Sequence, residues 1–237
     1  MRLVVTRPQA DAERTAAALR ARGHDVLLAP LTRIEPLPAD LSGTWGAVVI
    51  TSANAPHAAK NNPAFASIRN LRLYAVGRRS ADAASNVGFT DVVFAAGAVR
   101  DLIGIIVQHF RHASLPLLYL AGEHRAADLM GELTGSGVAA QMRVVYRAAA
   151  VPFAPALIAA LKANAAEGVL HFSQRSAELY VAGAVAAGLG GPALQLQHYC
   201  LSARIAEPLV AAGARRVITA PHPTEAALIE LLTPSAG

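Results

Sequence analysis

The chain of 237 residues is 54% hydrophobic and 16% charged, with 5% aromatic residues. That balance excludes a disordered chain and supplies core material for one large or two small domains. The net charge of +5 and a pI near 9.9 favour anionic partners, whereas scattered arginines without aromatic interleaving argue against nucleic acid.

Short apolar runs alternate with helical patterns along the whole chain. Leu3–Val5 reads as a strand, Ala10–Arg22 as a helix closed by Gly23, and Val26–Ala29 as the next strand. Ala47–Ile50 is a strand followed by a turn and a short helix through Ala59. Leu73–Val76 leads through Gly77 to a helix at Ser80–Asn86, closed by Gly88. Val92–Phe94 precedes a helix at Val99–Phe110, and Leu117–Leu120 precedes a helix at Arg125–Thr134. Val169–Phe172, Tyr199–Leu201 and Val217–Thr219 follow as strands, then a final helix at Thr224–Leu232. Strands alternating with helices imply parallel sheets with crossover helices.

The units match one another at near-constant offsets. Val48–Ile50 with Thr51-Ser52 matches Val169–His171 with Phe172-Ser173 at an offset of 121. Gly88 matches Gly213, and Val92-Val93 matches Val217-Ile218, both at 125. Leu3 and Leu118 differ by 115, and Gly23 and Gly137 by 114. The order of the matches implies one domain inserted in another. The outer domain takes residues 1–35 with 148–237, and the inserted one takes 37–146. Linkers at about 31–37 and 144–151 carry β-type residues and are expected to pair as a two-stranded hinge, with ligand in the cleft between the domains.

Ligands of open parallel sheets bind beyond the carboxyl ends of strands, where helix N-termini present unpaired N–H groups and a positive dipole. The strand ends here carry small and hydroxyl residues: Thr6-Arg7-Pro8, Thr51-Ser52-Ala53-Asn54, Gly77 to Ser80, Ala121 to Arg125, Phe172 to Ser176, Leu201-Ser202-Ala203 and Ala220 to Thr224. Taken singly, Thr6, Ser52, Ser80, Ser173 and Thr224 are also readable as ordinary N-caps. Gly188-Leu189-Gly190-Gly191 follows a helix rather than a strand and reads as a C-cap and loop.

Other site classes lack their motifs. There is no Walker A loop, no G-x-G-x-x-G and no G-x-S-x-G. The eight histidines form no Cys/His pair at zinc spacing, and His109 with His112 reads as a helix-end pair rather than a metal site. No metal and no cofactor are expected. The single cysteine, Cys200, excludes an internal disulfide and reads as a buried thiol. The mean hydropathy is +0.36, yet the least polar stretches, Ala148–Leu161 and Tyr180–Leu194, contain prolines or glycines and read as buried helices with loops. The MRLVVTRP start is too short in apolar residues for a signal peptide. A cytoplasmic protein is expected.

The ordered set Thr6-Arg7-Pro8, Thr51-Ser52-Ala53-Asn54, Val76-Gly77 with Ser80 and Gly88, Leu120-Ala121-Gly122 with Arg125 and Leu129, Val145-Tyr146, Phe172-Ser173 and Ala220-x-x-Pro223-Thr224-x-x-Ala227-Leu228 resembles uroporphyrinogen-III synthase over nearly the whole chain. The resemblance implies two flavodoxin-like, three-layer α/β domains joined by a two-stranded linker. It implies cyclisation of hydroxymethylbilane with inversion of the last pyrrole ring and loss of water, without cofactor. Its implied partners are that many-carboxylate linear tetrapyrrole and, transiently, porphobilinogen deaminase; no membrane is implied, and the chain is expected to be a monomer. Tyr146 is the implied proton donor, with a hinge aromatic as its other reading. Thr6, Arg7, Ser52, Ala53, Ser80, Gly122, Arg125, Ser173, Gln174, Ser202 and Thr224 are the implied substrate contacts; Arg7 and Arg125 are also readable as surface ion-pair partners. Ser202 and Ile205 stand where the family usually has glycine and threonine, and Ser80 where it often has threonine, which leaves an altered paralogue or a non-enzymatic two-lobed binding protein as the alternatives. A nucleotide-dependent transferase would need a phosphate loop that the chain lacks.

Overall fold

The computed structural model describes residues 1–95, 99–110, 113–125 and 128–232. His112 and two residues of the expected helix at Arg125–Thr134 lie outside them. In chain order the elements are β1 (Arg2–Val5), α1 (Gln9–Arg20), β2 (Asp25–Leu28), β3 (Thr32–Pro36), β4 (Ala47–Ile50), α2 (Asn54–Ala59), α3 (Phe65–Ile68), β5 (Leu73–Val76), α4 (Gly77–Asn86), β6 (Val92–Ala95), α5 (Val99–Phe110), β7 (Leu117–Gly122), α6 (Leu129–Gly135), β8 (Ala140–Ala150), α7 (Pro155–Lys162), β9 (Gly168–His171), α8 (Gln174–Ala186), α9 (Gly190–Gln195), β10 (Gln197–Cys200), α10 (Ala203–Ala211), β11 (Val217–Thr219) and α11 (Glu225–Glu230). They fall into two compact units. Unit 1 comprises Met1–Arg33 with the described residues from Ala149 onward, and unit 2 comprises those of Ile34–Ala148. Both divisions fall inside strands, β3 and β8, which are neighbours in one sheet.

Each unit has three layers. Unit 1 carries the sheet β11-β10-β9-β1-β2, and unit 2 carries β8-β7-β4-β5-β6 with β3 beyond β8. The ladders from β1 to β2, from β9 to β1 and to β10, and their counterparts around β4 and β7 are parallel. Alternation of side chains across each strand sorts the core into two faces. In unit 1, Val4 and Val169 pack under α7, α8, α9 and α10, while Leu3, Val5 and Leu170 pack under α1 and α11. In unit 2, Val48 and Ile50 pack under α2, α3 and α4, while Ala47 and Val49 pack under α5 and α6. Central strands β4, β7 and β9 are buried throughout, as sheets covered on both faces require.

The two sheets are the same sheet, cut at different places. Leu3 pairs with Gly168 and Val26. Leu117 pairs with Ala47 and Ala140. The offsets are thus 114 for β1 and β2 and 121 for β9. Val169 pairs with His198, and His198 with Val217; Val48 pairs with Leu73, and Leu73 with Val92, which extends the match at 125. The spatial order β11-β10-β9-β1-β2 therefore maps onto β6-β5-β4-β7-β8 residue for residue. Unit 2 is a circular permutant of unit 1, beginning at the counterpart of β9. The register corrects one sequence match: the counterpart of Leu3 is Leu117, not Leu118. Gly23 and Gly137 end the matched helices α1 and α6 with φ of 80° and 76°, a conformation that side chains with a Cβ rarely adopt.

Several boundaries differ from expectation for local reasons. Helix α4 starts at Gly77, so Ser80 lies inside its first turns and is 5% exposed; it is not a cap. Helix α6 starts later than Arg125 because the Asp128 carboxylate accepts from the Gly131 N–H and fixes its N-cap there. Gly190-Gly191 opens the short helix α9 rather than lying in a loop. The second connection is an eleven-residue strand, β8, of which Val144–Tyr146 is the middle. No described helix is long and apolar enough to cross a membrane, and the described residues contain no cluster of three or more metal-ligating side chains.

One polar pair sits in the unit 1 core. His171 Nε2 and His198 Nδ1 lie 3.1 Å apart, both rings are fully buried, and Tyr180 meets both edge to face. Their counterparts in unit 2 are Ile50 and Leu73, both apolar and fully buried. Burial holds His171 well below its usual range and lowers His198 to about 4, against opposition from the Leu194 and Ala193 carbonyls. The unfolded chain therefore binds protons below pH 6.5 that the fold rejects, so stability falls on acidification from about 6.5 toward 4. The limiting slope for two such groups is about 2.7 kcal/mol per pH unit. Urea titrations across this range are expected to show that slope in the wild type and its loss in His171→Ile/His198→Leu.

Candidate active site

A parallel sheet offers its crevice where neighbouring strands send their connections in opposite directions. In unit 2 that point lies between β4 and β7. A cavity of about 220 Å³ opens there. Thr51 and Ser52 enter it from the end of β4, Tyr119, Gly122, His124 and Arg125 from β7 and the turn after it, and Tyr146 from β8; Val99 and Leu129 supply apolar wall. A larger groove of about 590 Å³ lies on unit 1 among Gly190, Gly191, Gly213, Arg215 and Arg216. It sits where β10 and β11 begin, at the amino ends of those strands, and among the described residues neither a hydroxyl nor an aromatic lines it. The smaller cavity is the candidate site.

The cavity is built by close packing at one bulge. The β7–β8 register shifts between Ala121, opposite Val144, and Gly122, opposite Tyr146. The Glu123 N–H donates to the Tyr146 carbonyl at 2.9 Å. The shift lays the Tyr146 ring against the Gly122 Cα: a Cβ added there would sit 2.6 Å from Cζ and 2.7 Å from the hydroxyl. Tyr146 is 9% exposed and lines the cavity with its ring held against Gly122. Arg125 Nη1 donates to the Gly122 and Glu123 carbonyls, both at 3.1 Å, which curls the exposed guanidinium back over the same turn. At the cavity floor, Thr51 Oγ1 and the Tyr119 hydroxyl share a 3.0 Å hydrogen bond. Burial raises the Tyr119 phenol above its ordinary value, the Thr51 bond opposes that, and neighbouring Tyr146 adds to it. Tyr119 therefore stays protonated in ordinary buffers.

The permuted counterpart shows that these hydroxyls are not required by the fold. By the ladder registers Thr51 corresponds to Phe172 and Tyr119 to Val5, which share an apolar cluster in unit 1. Sequence reasoning named Ser52, Gly122, Arg125 and Tyr146 as expected site residues, and these four are among the residues that line this cavity. It missed Tyr119, whose signal was a hydroxyl inside an otherwise aliphatic strand, LLYLAG. Ala53 holds the N-cap position of α2 and stands outside the cavity lining. Ser80 is buried within α4 and contributes no strand-end hydroxyl.

The unit 1 residues gather at the ends of β1, β9, β10 and β11. Ser173 and Thr224 are N-caps whose hydroxyls accept from Ser176 and Ala227 N–H, at 3.1 and 3.2 Å. Ser202 caps α10 by position without a side-chain capping bond. Gln174 accepts from Arg204 Nε at 2.8 Å. Thr6 is fully buried: its hydroxyl donates to the Leu170 carbonyl at 3.0 Å and receives Ser176 Oγ at 3.1 Å, tying β1 to β9 and α8. Its side chain is thereby excluded from ligand contact. Arg7 stacks on Phe172, 4.1 Å from the ring centroid, and pairs with Glu225 at 2.9 Å and Asp11 at 3.7 Å. Cys200 is buried and its thiol is pushed up to about 12, so it is no nucleophile.

Two three-layer α/β units, related by permutation, carry hydroxyls and first-turn amides at their strand ends, the architecture of an α/β protein with its candidate site at the carboxyl edge of a parallel sheet. The chain belongs to the uroporphyrinogen-III synthase HemD family, whose model matches residues 13–230. It is accordingly an enzyme of tetrapyrrole biosynthesis, in a family whose substrate is hydroxymethylbilane. The fold is similar to that of uroporphyrinogen-III synthetase from Helicobacter pylori 26695, with 18% identity, 98% of each chain covered and a TM-score of 0.67. It is also similar to a mutant uroporphyrinogen III synthase from the extremely thermophilic bacterium Thermus thermophilus, with 14% identity, 98% and 97% covered and a TM-score of 0.52. No curated protein matches the chain.

The clamp predicts its own failure. Gly122→Ala is expected to keep the fold, seen as a near-native thermal melt, while it displaces the Tyr146 ring. A misplacement of about 1 Å costs about 100-fold in turnover, which a coupled isomer assay would read.

Proposed function

We propose that this chain closes hydroxymethylbilane to uroporphyrinogen III, with Tyr146 as the proton donor that starts the reaction. The carrying observation is Tyr146, packed against Gly122, in the lining of a hydroxyl-bearing cavity at the strand switch point of unit 2. The chemistry requires water to leave the hydroxymethyl carbon. Tyr146 donates its proton to that hydroxyl, the C–O bond breaks with loss of water, and the electron pair of the pyrrole nitrogen forms an azafulvenium cation; the proton that the ring sheds on final closure returns to the Tyr146 phenolate. The last ring then attacks through its substituted α-carbon, and the spiro intermediate fragments and recloses with that ring inverted. The electrophile is reactive unaided, and unaided closure gives the uninverted isomer. The protein's task is therefore conformational: to hold the chain so that the substituted carbon attacks.

Carboxylates suit the groups on offer. The first N–H groups of α8 and α10 lie beside Ser173 and Ser202, and helix N-termini favour anions. Ser52, Arg125 and His124 stand at the unit 2 cavity. The net charge of +5 adds long-range attraction for a polyanion. Gln174, Thr224 and Arg7 are further substrate contacts in this reading, and so is the Ala53 main chain. Ala53 acts through its backbone at the start of α2.

A coupled assay with porphobilinogen and its deaminase, followed by oxidation and isomer analysis, tests the reading. Type III product above the spontaneous background supports it, and a mixture purely of type I refutes it. Tight binding without conversion would make the chain a binding protein. Tyr146→Phe is expected to lower turnover by about 100-fold or more, the usual worth of a general acid. Thr224→Ala is expected to cost about 1 kcal/mol of stability through its lost cap and to keep most activity, because positioning is spread over many main-chain groups.

A further inference from the structure

The permuted relation locates a second crevice, in unit 1, between the ends of β1 and β9. It is filled by the protein's own side chains. Arg7, from the end of β1, stacks on Phe172, from the end of β9. Two hydrogen-bond donors and a more distant guanidinium converge on one carboxylate there. Arg7 Nη1 lies 2.9 Å from Glu225 Oε2, Thr15 Oγ1 lies 2.5 Å from Oε1, and Arg14 Nη2 lies 3.9 Å from Oε2. Asp11 pairs with both arginines, at 3.7 Å to Arg7 and 3.3 Å to Arg14, and so holds them in place without occupying the same corner. Arg7 is 11% exposed, whereas Glu225 is 31% exposed. Arg7 and Thr15, the closest receiving groups, are thus nearly buried, and the occupant is accessible.

The occupant also sits at the start of a short helix. Glu225 is the first residue of α11, a six-residue helix, and follows Pro221-His222-Pro223-Thr224, all four of which are exposed. A nearly buried guanidinium and a buried hydroxyl both bond this carboxylate, with a second guanidinium at ion-pair distance, and charge-assisted bonding of this kind is how arginine binds carboxylate ligands. We infer that Arg7, Arg14 and Thr15 form a receptor for a ligand carboxylate, which Glu225 occupies as an internal stand-in and which a substrate carboxylate claims by displacing it. This deepens the proposed function and rests on a many-carboxylate substrate. It makes Glu225 a competitor whose removal improves binding, where a purely structural ion pair would leave binding unchanged.

The test measures binding by calorimetry with two probes: uroporphyrin I, a stable tetrapyrrole polycarboxylate, and mellitate, a benzene hexacarboxylate without pyrroles. A partly exposed ion pair is worth about a fivefold change in an equilibrium constant. Glu225→Gln and Glu225→Ala are expected to tighten both probes by about that factor. Arg7→Gln is expected to weaken them, and Arg7→Gln/Glu225→Gln to bind no tighter than Arg7→Gln. Asp91→Asn, which removes the same charge from an exposed pair in unit 2, is expected to change neither. Should Glu225→Ala melt early, Glu225→Gln decides, since it keeps the side chain's size and its bond to Thr15. Unchanged or weaker binding in Glu225→Gln, or tightening that persists without Arg7, overturns the inference. Loss of type III product in the wild-type assay would refute the proposed function alone, and the mellitate ranking would still decide this one.

Discussion

Burial of the central strands on both faces constrains everything else in this chain. Strands β4, β7 and β9 are covered above and below by helices, and their side chains are committed to the core. Chemistry then has to happen where strands end and helices begin, because only there do backbone amides lack partners and side chains reach solvent. The carboxyl ends of β4 and β7 provide such a place, and the bulge between Ala121 and Gly122 re-aims Tyr146 into it.

Permutation explains why one sheet serves twice. Moving the cut point leaves the spatial order, the ladder registers and the helix faces unchanged: α1 and α11 cover the same face of unit 1 that α6 and α5 cover in unit 2. What varies is what fills equivalent positions. A buried His171–His198 pair stands where unit 2 has Ile50 and Leu73, and it introduces an acid sensitivity that aliphatic residues lack.

Much of the fold was legible because its signals are local. Apolar runs of four residues between helical patterns marked the buried strands, and Gly23, Gly88, Gly137 and Gly213 marked matched helix ends at shared offsets. The one-residue error at Leu118 arose because LLYL and LVV are interchangeable as apolar runs; only hydrogen-bond register distinguishes Leu117. Ser80 misled because a serine three residues after a glycine resembles a cap, while the helix in fact starts at that glycine. The site was legible as turns and not as contacts. Thr6 and Ser173 look alike in sequence, yet one hydroxyl is sealed beneath Ser176 and the other caps an exposed helix start. Tyr119 escaped notice because a strand tyrosine reads as core until its Thr51 partner is seen across the sheet.

The two crevices differ in a way that sequence identity between the units would have forbidden. In unit 2 small residues, Thr51, Ala121 and Gly122, leave room, and the polar atoms of Tyr119 and Tyr146 border the space. In unit 1 the counterparts of Thr51 and Ala121 are Phe172 and Arg7, which fill the room and bring a charge with them. The unit 2 crevice thus combines open space with the hydroxyls of Thr51, Ser52, Tyr119 and Tyr146 and with the basic side chains of His124 and Arg125. In the unit 1 crevice the guanidinium is held on an aromatic face, so its orientation is fixed by packing as well as by its carboxylate partners. Divergence of two copies of one sheet thus left one crevice open and filled the other with an arginine stacked on an aromatic ring and paired with a carboxylate.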